Sequence, residues 1–258
     1  IDRGLVGSEM CIRDRSHVCV LSTAMVYGAW VDNPVPLTED ADVRPNPDFP
    51  WAITRAEVER AVLEWGSGLE AAVSILRPTA VVTDDTLGRL AQVLHTARVG
   101  IAADGDPPVQ YLHVDDLAAA VVAAIQTRFD GVANVAPDSW IPPDALADLE
   151  GPQARVRVPA WAARAVAAVR QRSGLAPIPP GIVPYTSHSW VVANDRIRAL
   201  GWEADYSNEE AWVVSHDPSP LEQLPARRRQ ELALGAAAAL AIGCAVGAVL
   251  VLRRLRRN

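Results

Sequence analysis

An α/β fold with a parallel sheet is what this sequence predicts, and three observations predict it. Short apolar runs alternate with helical periods along residues 17–215. The runs are close to continuous rather than alternating, as expected of strands buried on both faces. Of the 258 residues, 50% are hydrophobic and 21% charged, which suits one domain with a proper core plus an appendage.

The elements follow in chain order. HVCVLSTAMVYG (17–28) opens with the apolar run Val18–Leu21, a buried strand ending in Ser22 and Thr23. The Pro- and acid-rich stretch 31–49 reads as a loop. Pro50 fits the first helical position, and Ile53, Ala56, Ala61 and Trp65 carry a helix onward. A second strand is expected at about residues 71–76, closed by Arg77-Pro78. DTLGRLAQVLHTARVG is helical, and PVQYLHVDDLAAAVVAAIQTR is a short strand entering a helix, with Asp115 or Asp116 near its N-cap. GVANVA is another strand, Pro142-Pro143 starts a new element, and a helix is expected over about 160–172. WVVANDRIRALGWEADYS forms a small helix-plus-turn unit. A sheet of this kind binds ligands beyond the carboxyl ends of its strands, here at Ser22-Thr23 and Arg77-Pro78.

Both termini depart from this pattern. Residues 1–15, IDRGLVGSEMCIRDR, have no period of 2 or 3.6 and resemble translated sequencing-adapter read-through. They are expected to be non-native; an irregular terminus is the alternative. Residues 216–231 read as a proline-punctuated linker. From Leu232 to Leu252 no residue is charged, and arginines flank both sides. At about 1.5 Å per residue this segment matches a bilayer core of roughly 30 Å, so a single transmembrane helix is expected, followed by a basic tail at 253–258. A buried Ala-rich helix is the competing reading, but the segment keeps no polar face.

The net charge of −7 gives no reason to expect nucleic acid as a partner. Cys11, Cys19 and Cys244 share no CxxC or Cys/His context, and the five histidines lack metal-ligand spacing, so neither a disulfide framework nor a metal site is expected.

Taken together, STAMVYG, PLTED, PNPDFPWAITRAEVER, ILRPTAVV, VQYLHVDDLAAAVVAAI, GVANVA and RIRALGW resemble, in order and spacing, the extended short-chain dehydrogenase/reductase family. More narrowly they are similar to its NAD-dependent epimerase/dehydratase group, over about residues 17–207. The resemblance implies a partial Rossmann-like parallel sheet with helices on both faces and a small C-terminal substrate-binding part. It implies NAD or NADP as cofactor, a small-molecule substrate such as a nucleotide sugar or lipophilic alcohol, a homodimer as one admissible assembly, and a catalytic Ser/Thr, Tyr and Lys. Tyr-x-x-x-Lys needs that spacing because residues i and i+4 share a helix face. The lysine and the oxidised nicotinamide lower the tyrosine pKa from about 10, so that it can move a proton near neutral pH.

By this resemblance Thr23 takes the Ser/Thr position, four residues before Tyr27. Ser22, Arg55 and Pro78 fall where the cofactor binds. Trp51 stands at the tyrosine position and Arg55 at the lysine position. An indole N–H only donates and does not titrate in water, so Trp51 cannot serve as acid/base and reads as a packing residue. Arg55 keeps the charge in a different geometry. Tyr27 is the candidate to replace the lost hydroxyl. His113, Asp115 and Asp116 read as a strand-to-helix turn with capping carboxylates. No Gly-rich dinucleotide loop follows any strand; in the family that loop precedes the serine strand, so a chain truncated at its N-terminus is expected. Two functions remain: a membrane-anchored NAD(P)-dependent oxidoreductase or epimerase, or an inactive NAD(P)-binding or scaffold protein of the same fold. Cofactor supply places the domain in the cytoplasm, although the arginines of the tail oppose that orientation.

Overall fold

A computed structural model describes residues 17–68, 71–84, 86–98, 100–151, 155–174 and 179–216. The chain divides into two compact units, Ile1–His216 and Asp217–Asn258, and every described residue lies in the first. The expected artefact at 1–15, most of the linker, the apolar segment 232–252 and the basic tail lie outside the described residues. Among the described residues no helix is long and apolar enough to cross a membrane.

The centre is a three-stranded parallel sheet of β1 (His17–Leu21), β2 (Ala72–Pro78) and β6 (Gly131–Val135), in the order β1-β2-β6. Leu21 pairs with Leu76, and Pro78 with Val135, so the carboxyl ends of all three strands meet at one edge. Two separate two-stranded parallel sheets accompany it. β3 (Ala80–Val82) pairs with β5 (Tyr111–His113), and β4 (Gly100–Ala103) with β7 (Arg155–Val158). The helices are α1 (Pro50–Gly66), α2 (Arg89–Arg98), α3 (Val114–Gln126), α4 (Pro143–Glu150), α5 (Ala160–Arg172), α6 (Asp195–Arg198) and α7 (Asn208–Val214). Parallel strands need crossovers, and the helices supply them on both faces of the sheet. The result is an α/β, Rossmann-like parallel sheet.

Two apolar cores sit on the sheet. One gathers Met25, Tyr27, Phe49, Ile141, Tyr185 and Trp190; the other gathers Leu76, Leu112, Ala124, Val135, Ile197 and Trp202. Burial of these side chains, at roughly 25 cal/mol per Å² of apolar area, is the main favourable contribution.

Several local expectations need correction. β2 runs through Arg77 and Pro78 rather than stopping before them, because Pro78 is the terminal residue of its strand and needs no further ladder bond. The buried face of α1 carries Ala52, Ala56 and Glu59, whereas Ala61 and Trp65 are exposed. The N-cap of α3 is His113, whose ring accepts from the Asp115 amide at 3.4 Å. Asp116 instead turns its carboxylate onto the amides of Asp205 and Tyr206, at 2.8 and 3.2 Å. β4, β7 and α7 are additions that the apolar pattern does not signal; β7 reads Arg-Val-Arg-Val, too short for a period.

Two glycines fix the path into the site. Gly28, at φ +71°, ends the 3-10 turn Ala24–Tyr27, and a Cβ there would strike the Trp30 ring and the Arg44 carbonyl. At Gly181 a Cβ would strike the Asp48 carbonyl, so the 3-10 segment Pro180–Thr186 packs directly on the entry to α1.

Candidate active site at the strand ends

β1 hands over to the site at Leu21. The Ser22 amide still bonds to Leu76 O at 2.8 Å, continuing the ladder by one residue. Thr23 is extended and caps the 3-10 turn, its hydroxyl accepting from the Met25 amide at 3.3 Å. Both residues are buried. α1 then passes this edge. Its first turn starts at Pro50, whose missing N–H costs nothing at a helix entry.

Trp51 and Arg55 do lie one turn apart, as the spacing predicts. The Arg55 guanidinium is 5.7 Å from the Trp51 ring centroid, and its Nη1 donates to Leu21 O at 3.3 Å. The cation therefore rests on the carboxyl end of β1. Trp51 is 40% exposed and tilts against Phe49, with ring centroids 5.8 Å apart. The sequence holds 24 basic residues, all of them arginine, so no lysine exists in the chain to replace the one missing at Arg55.

Tyr27 is wholly buried. Its hydroxyl donates to Asn134 Oδ1 at 2.8 Å and accepts from Arg77 Nη1 at 2.7 Å. Arg77 in turn forms a buried ion pair with Glu59, its Nε 3.1 and 3.2 Å from the two carboxylate oxygens. Asn134 is held by its own amide donating to Glu39 Oε1 at 2.8 Å. Burial pushes the Tyr27 pKa up, against the lowering influence of Arg77. Burial opposes the Arg77 charge, yet Glu59 and Tyr27 together raise its pKa. Tyr27 therefore stays protonated at neutral pH, with its proton directed at Asn134.

The other tyrosines are also placed. Tyr185 is buried and donates to Met25 O at 2.8 Å, and burial pushes its pKa up. Tyr111 is buried in β5, and the Tyr206 ring lies tilted against His113 with ring centroids 4.1 Å apart.

Two buried hydroxyls at the strand ends have no hydrogen-bond partner: Ser22 Oγ after β1 and Thr79 Oγ1 after β2. The Thr79 amide, by contrast, bonds to Val135 O at 3.1 Å. A buried polar atom left unpaired costs about 1–3 kcal/mol, so the arrangement suits a ligand that supplies partners. Ser22, Thr79 and Arg55 could hold the hydroxyls of a ribose. Pro78, buried in β2, brings no donor of its own and can offer only its carbonyl as acceptor and its ring as surface. Among the described residues no three His, Cys, Asp or Glu side chains converge as metal ligands.

Glu59 and Asn134 have no place among the residues singled out from the sequence. A signal for Glu59 existed: Ala52, Ala56 and Glu59 fall at i, i+4 and i+7, which puts a carboxylate on the inward stripe where only an ion pair tolerates it. Asn134 sits inside an apolar strand with no such signal.

No curated protein sequence matches the chain significantly. Solved structures do match. The structure of RMD from Pseudomonas aeruginosa complexed with NADPH aligns with a TM-score of 0.55 at 15% identity, over 81% of this chain and 68% of that one. UDP-glucose 4-epimerase from Thermus thermophilus, in complex with NAD, aligns at 0.53 and 20%, over 78% and 62%. MoeE5 in complex with UDP-glucuronic acid and NAD aligns at 0.56 and 20%, over 80% and 66%. The chain thus spans about two thirds of the length of the structures it matches. At these identities the likeness shows the fold. The sequence profile of the NAD dependent epimerase/dehydratase family matches residues 8–136, half of the chain, and the chain belongs to that family.

Proposed function

We propose that this domain binds a nicotinamide dinucleotide at the carboxyl ends of β1 and β2 and does not perform the tyrosine-dependent proton transfer of its family. One observation carries this reading: position 51 holds an indole, while the tyrosine nearest in sequence, Tyr27, is locked between Arg77 and Asn134. The family match and the NAD- and NADPH-bound neighbours support the cofactor class.

The residues present fit the ribose end of such a cofactor, because two buried hydroxyls without partners lie at the ends of β1 and β2, and Arg55 reaches the end of β1. When bound, the nicotinamide would supply a hydride donor or acceptor. Arg55 would donate to ribose hydroxyls as a permanent cation. Ser22 and Thr79 would gain the partners they lack. Thr23 would orient a substrate oxygen, and Trp51 would cover it from water without exchanging a proton.

A second reading is favoured by Ser22 and Thr23 together. Adjacent hydroxyls at the family's Ser/Thr position are what an active oxidoreductase or epimerase would keep, acting on a nucleotide sugar or a lipophilic alcohol. In either case the uncharged segment 232–252 is proposed to anchor the protein in a membrane, with the domain on the cytoplasmic side.

The test uses the complete protein. NADH and NADPH are titrated by fluorescence, and turnover is followed with UDP-glucose and a long-chain secondary alcohol. Binding without turnover is the expected result, with turnover appearing only in Trp51→Tyr/Arg55→Lys. Turnover by the unaltered protein that Thr23→Ala abolishes would sink the non-catalytic reading and establish the second.

A further inference from the structure

The basic residues of this acidic chain are unevenly placed. Between Glu150 and Asp195 there is no carboxylate side chain, while Arg155, Arg157, Arg164, Arg170 and Arg172 all fall there. That stretch carries a charge of +5 in a protein whose net charge is −7. It contains β7 and α5.

α5 has two faces. Ala163 and Ala167 are buried, and with Val166 they line a small space shared with Ala97 of α2 and Val183. The opposite face bears Trp161 at 74% exposure and Val169 at 63%, with the exposed Ala165 between them. Residues 161, 165 and 169 are spaced i, i+4, i+8, so they form one outward stripe. Val156 of β7 is 61% exposed as well. Arg164 and Arg172 are exposed in the turns alongside this stripe. Arg164 makes only a loose ion pair with Asp48, at 3.5 Å, with both side chains largely in water.

A solvated helix face has no use for an exposed tryptophan and valine in line. An apolar stripe of Trp, Ala and Val edged by arginines is the composition of a helix that lies in the headgroup layer of a bilayer. Tryptophan favours that depth because one side of the ring is apolar and the N–H can stay wet. Arginine stems can lie along the apolar layer while the guanidinium reaches anionic headgroups. The sign of the charge selects the partner: Arg164 and Arg172 flank the stripe in a stretch without carboxylates, although Arg157 is paired with Asp106, and the described residues on either side of that stretch are predominantly acidic.

The position of the chain exit adds to this. The described residues end at His216, whose ring meets His95 of α2 edge-on at 5.4 Å. α2 lines the same small space as the inner face of α5. From there fifteen residues separate His216 from the uncharged segment that starts at Leu232, a reach of at most about 50 Å.

We infer that the outer face of α5 docks this domain onto a bilayer rich in anionic lipid. Docking is separate from anchoring, since it needs the headgroup charge and the anchor does not.

The experiment is hydrogen exchange on the full chain in nanodiscs, one set of phosphatidylcholine alone and one with roughly a third phosphatidylglycerol. Amides of residues 156–172 should exchange several-fold more slowly on the anionic discs. Half-molar salt should remove that protection, because exposed charges are screened beyond about 4 Å there. Arg164→Glu with Arg172→Glu should remove it too, since each arginine near an anionic surface contributes about fivefold in affinity. Equal exchange on neutral and anionic discs would overturn the inference. So would protection that rises with protein concentration in detergent without lipid, which would assign the face to a second copy. Failure of the anchor reads out differently: the chain would not stay with neutral discs, while the anionic discs would still report on α5. Unchanged thermal unfolding of the double variant separates loss of docking from loss of fold.

Discussion

Two polar groups of residues share the carboxyl edge of one sheet, and they are built on opposite principles. In the first, Glu59, Arg77, Tyr27 and Asn134 are all buried and partnered to one another. In the second, Ser22 and Thr79 are equally buried but their hydroxyls have no partner, and Arg55 lies at the strand edge with one long bond to Leu21 O. The closed group meets its hydrogen-bonding needs from within, although Glu59 and Arg77 also border a cavity lined by Val43, Ile53 and Arg60. The open group has hydroxyls that no protein atom satisfies, so a ligand or an ordered water would supply their partners. Tyr27 belongs to the closed group although it stands only four residues from Thr23.

The sharpest way to break the comparison is through the ion pair. Arg77→Met leaves the Glu59 carboxylate buried without its partner, and such losses cost about 3–5 kcal/mol. Urea unfolding should show this as a large drop in midpoint. Glu59→Leu/Arg77→Met should recover most of it, because the pair is replaced by apolar volume rather than broken. If the single substitution costs less than about 1 kcal/mol, the closed group is not what holds α1 to the sheet.

Tyr27→Phe should have the next largest effect. It removes the acceptor of Arg77 Nη1 and the donor to Asn134, for a loss of about 1–3 kcal/mol. Dinucleotide affinity should not change, since the hydroxyl faces the closed group. The pH dependence has a definite sign. Burial raises the Tyr27 pKa, so the folded state holds that proton more tightly than the unfolded chain. Its contribution is present below about pH 10, the ordinary tyrosine pKa, and is lost as pH rises further through the folded value. Unfolding free energy should fall with pH in that alkaline window, and less steeply in Tyr27→Phe. A change in activity at neutral pH without a change in stability would instead return Tyr27 to the role of proton carrier.

How far the sequence could take this follows from the same two groups. The strand ends were legible, because apolar runs stopping at Ser22-Thr23 and Arg77-Pro78 mark where a parallel sheet binds ligands. The spacing of Trp51 and Arg55 was legible for the same reason that any i, i+4 pair is. Which hydroxyls remain open was not. Hydrogen-bond satisfaction is a tertiary property: Tyr27 is closed off by Asn134, 107 residues away, and by Arg77, 50 residues away. Asp115 and Asp116 do fall near the N-cap of α3, in its first turn, but only the fold shows that His113 is the cap and that Asp116 is taken by Asp205 and Tyr206. β4 and β7 escaped because a four-residue strand carries too little pattern to separate from a loop.

The smallest expected effect on stability is the most informative about function. Ser22→Ala and Thr79→Ala delete hydroxyls that have no protein partner, so unfolding should shift by less than about 1 kcal/mol, and either substitution could stabilise the protein slightly by removing a buried unpaired group. If a ribose supplies the missing partners, each substitution should weaken NADH or NADPH binding about tenfold, the ordinary worth of a hydrogen bond in affinity. Stability and binding would then move independently at the open group and together nowhere else at this edge. If Ser22→Ala and Thr79→Ala leave both unchanged, the hydroxyls are incidental and the contrast between the two groups loses its functional meaning. If both substitutions destabilise by more than about 2 kcal/mol, the hydroxyls are structural, and the open group is as closed as its neighbour.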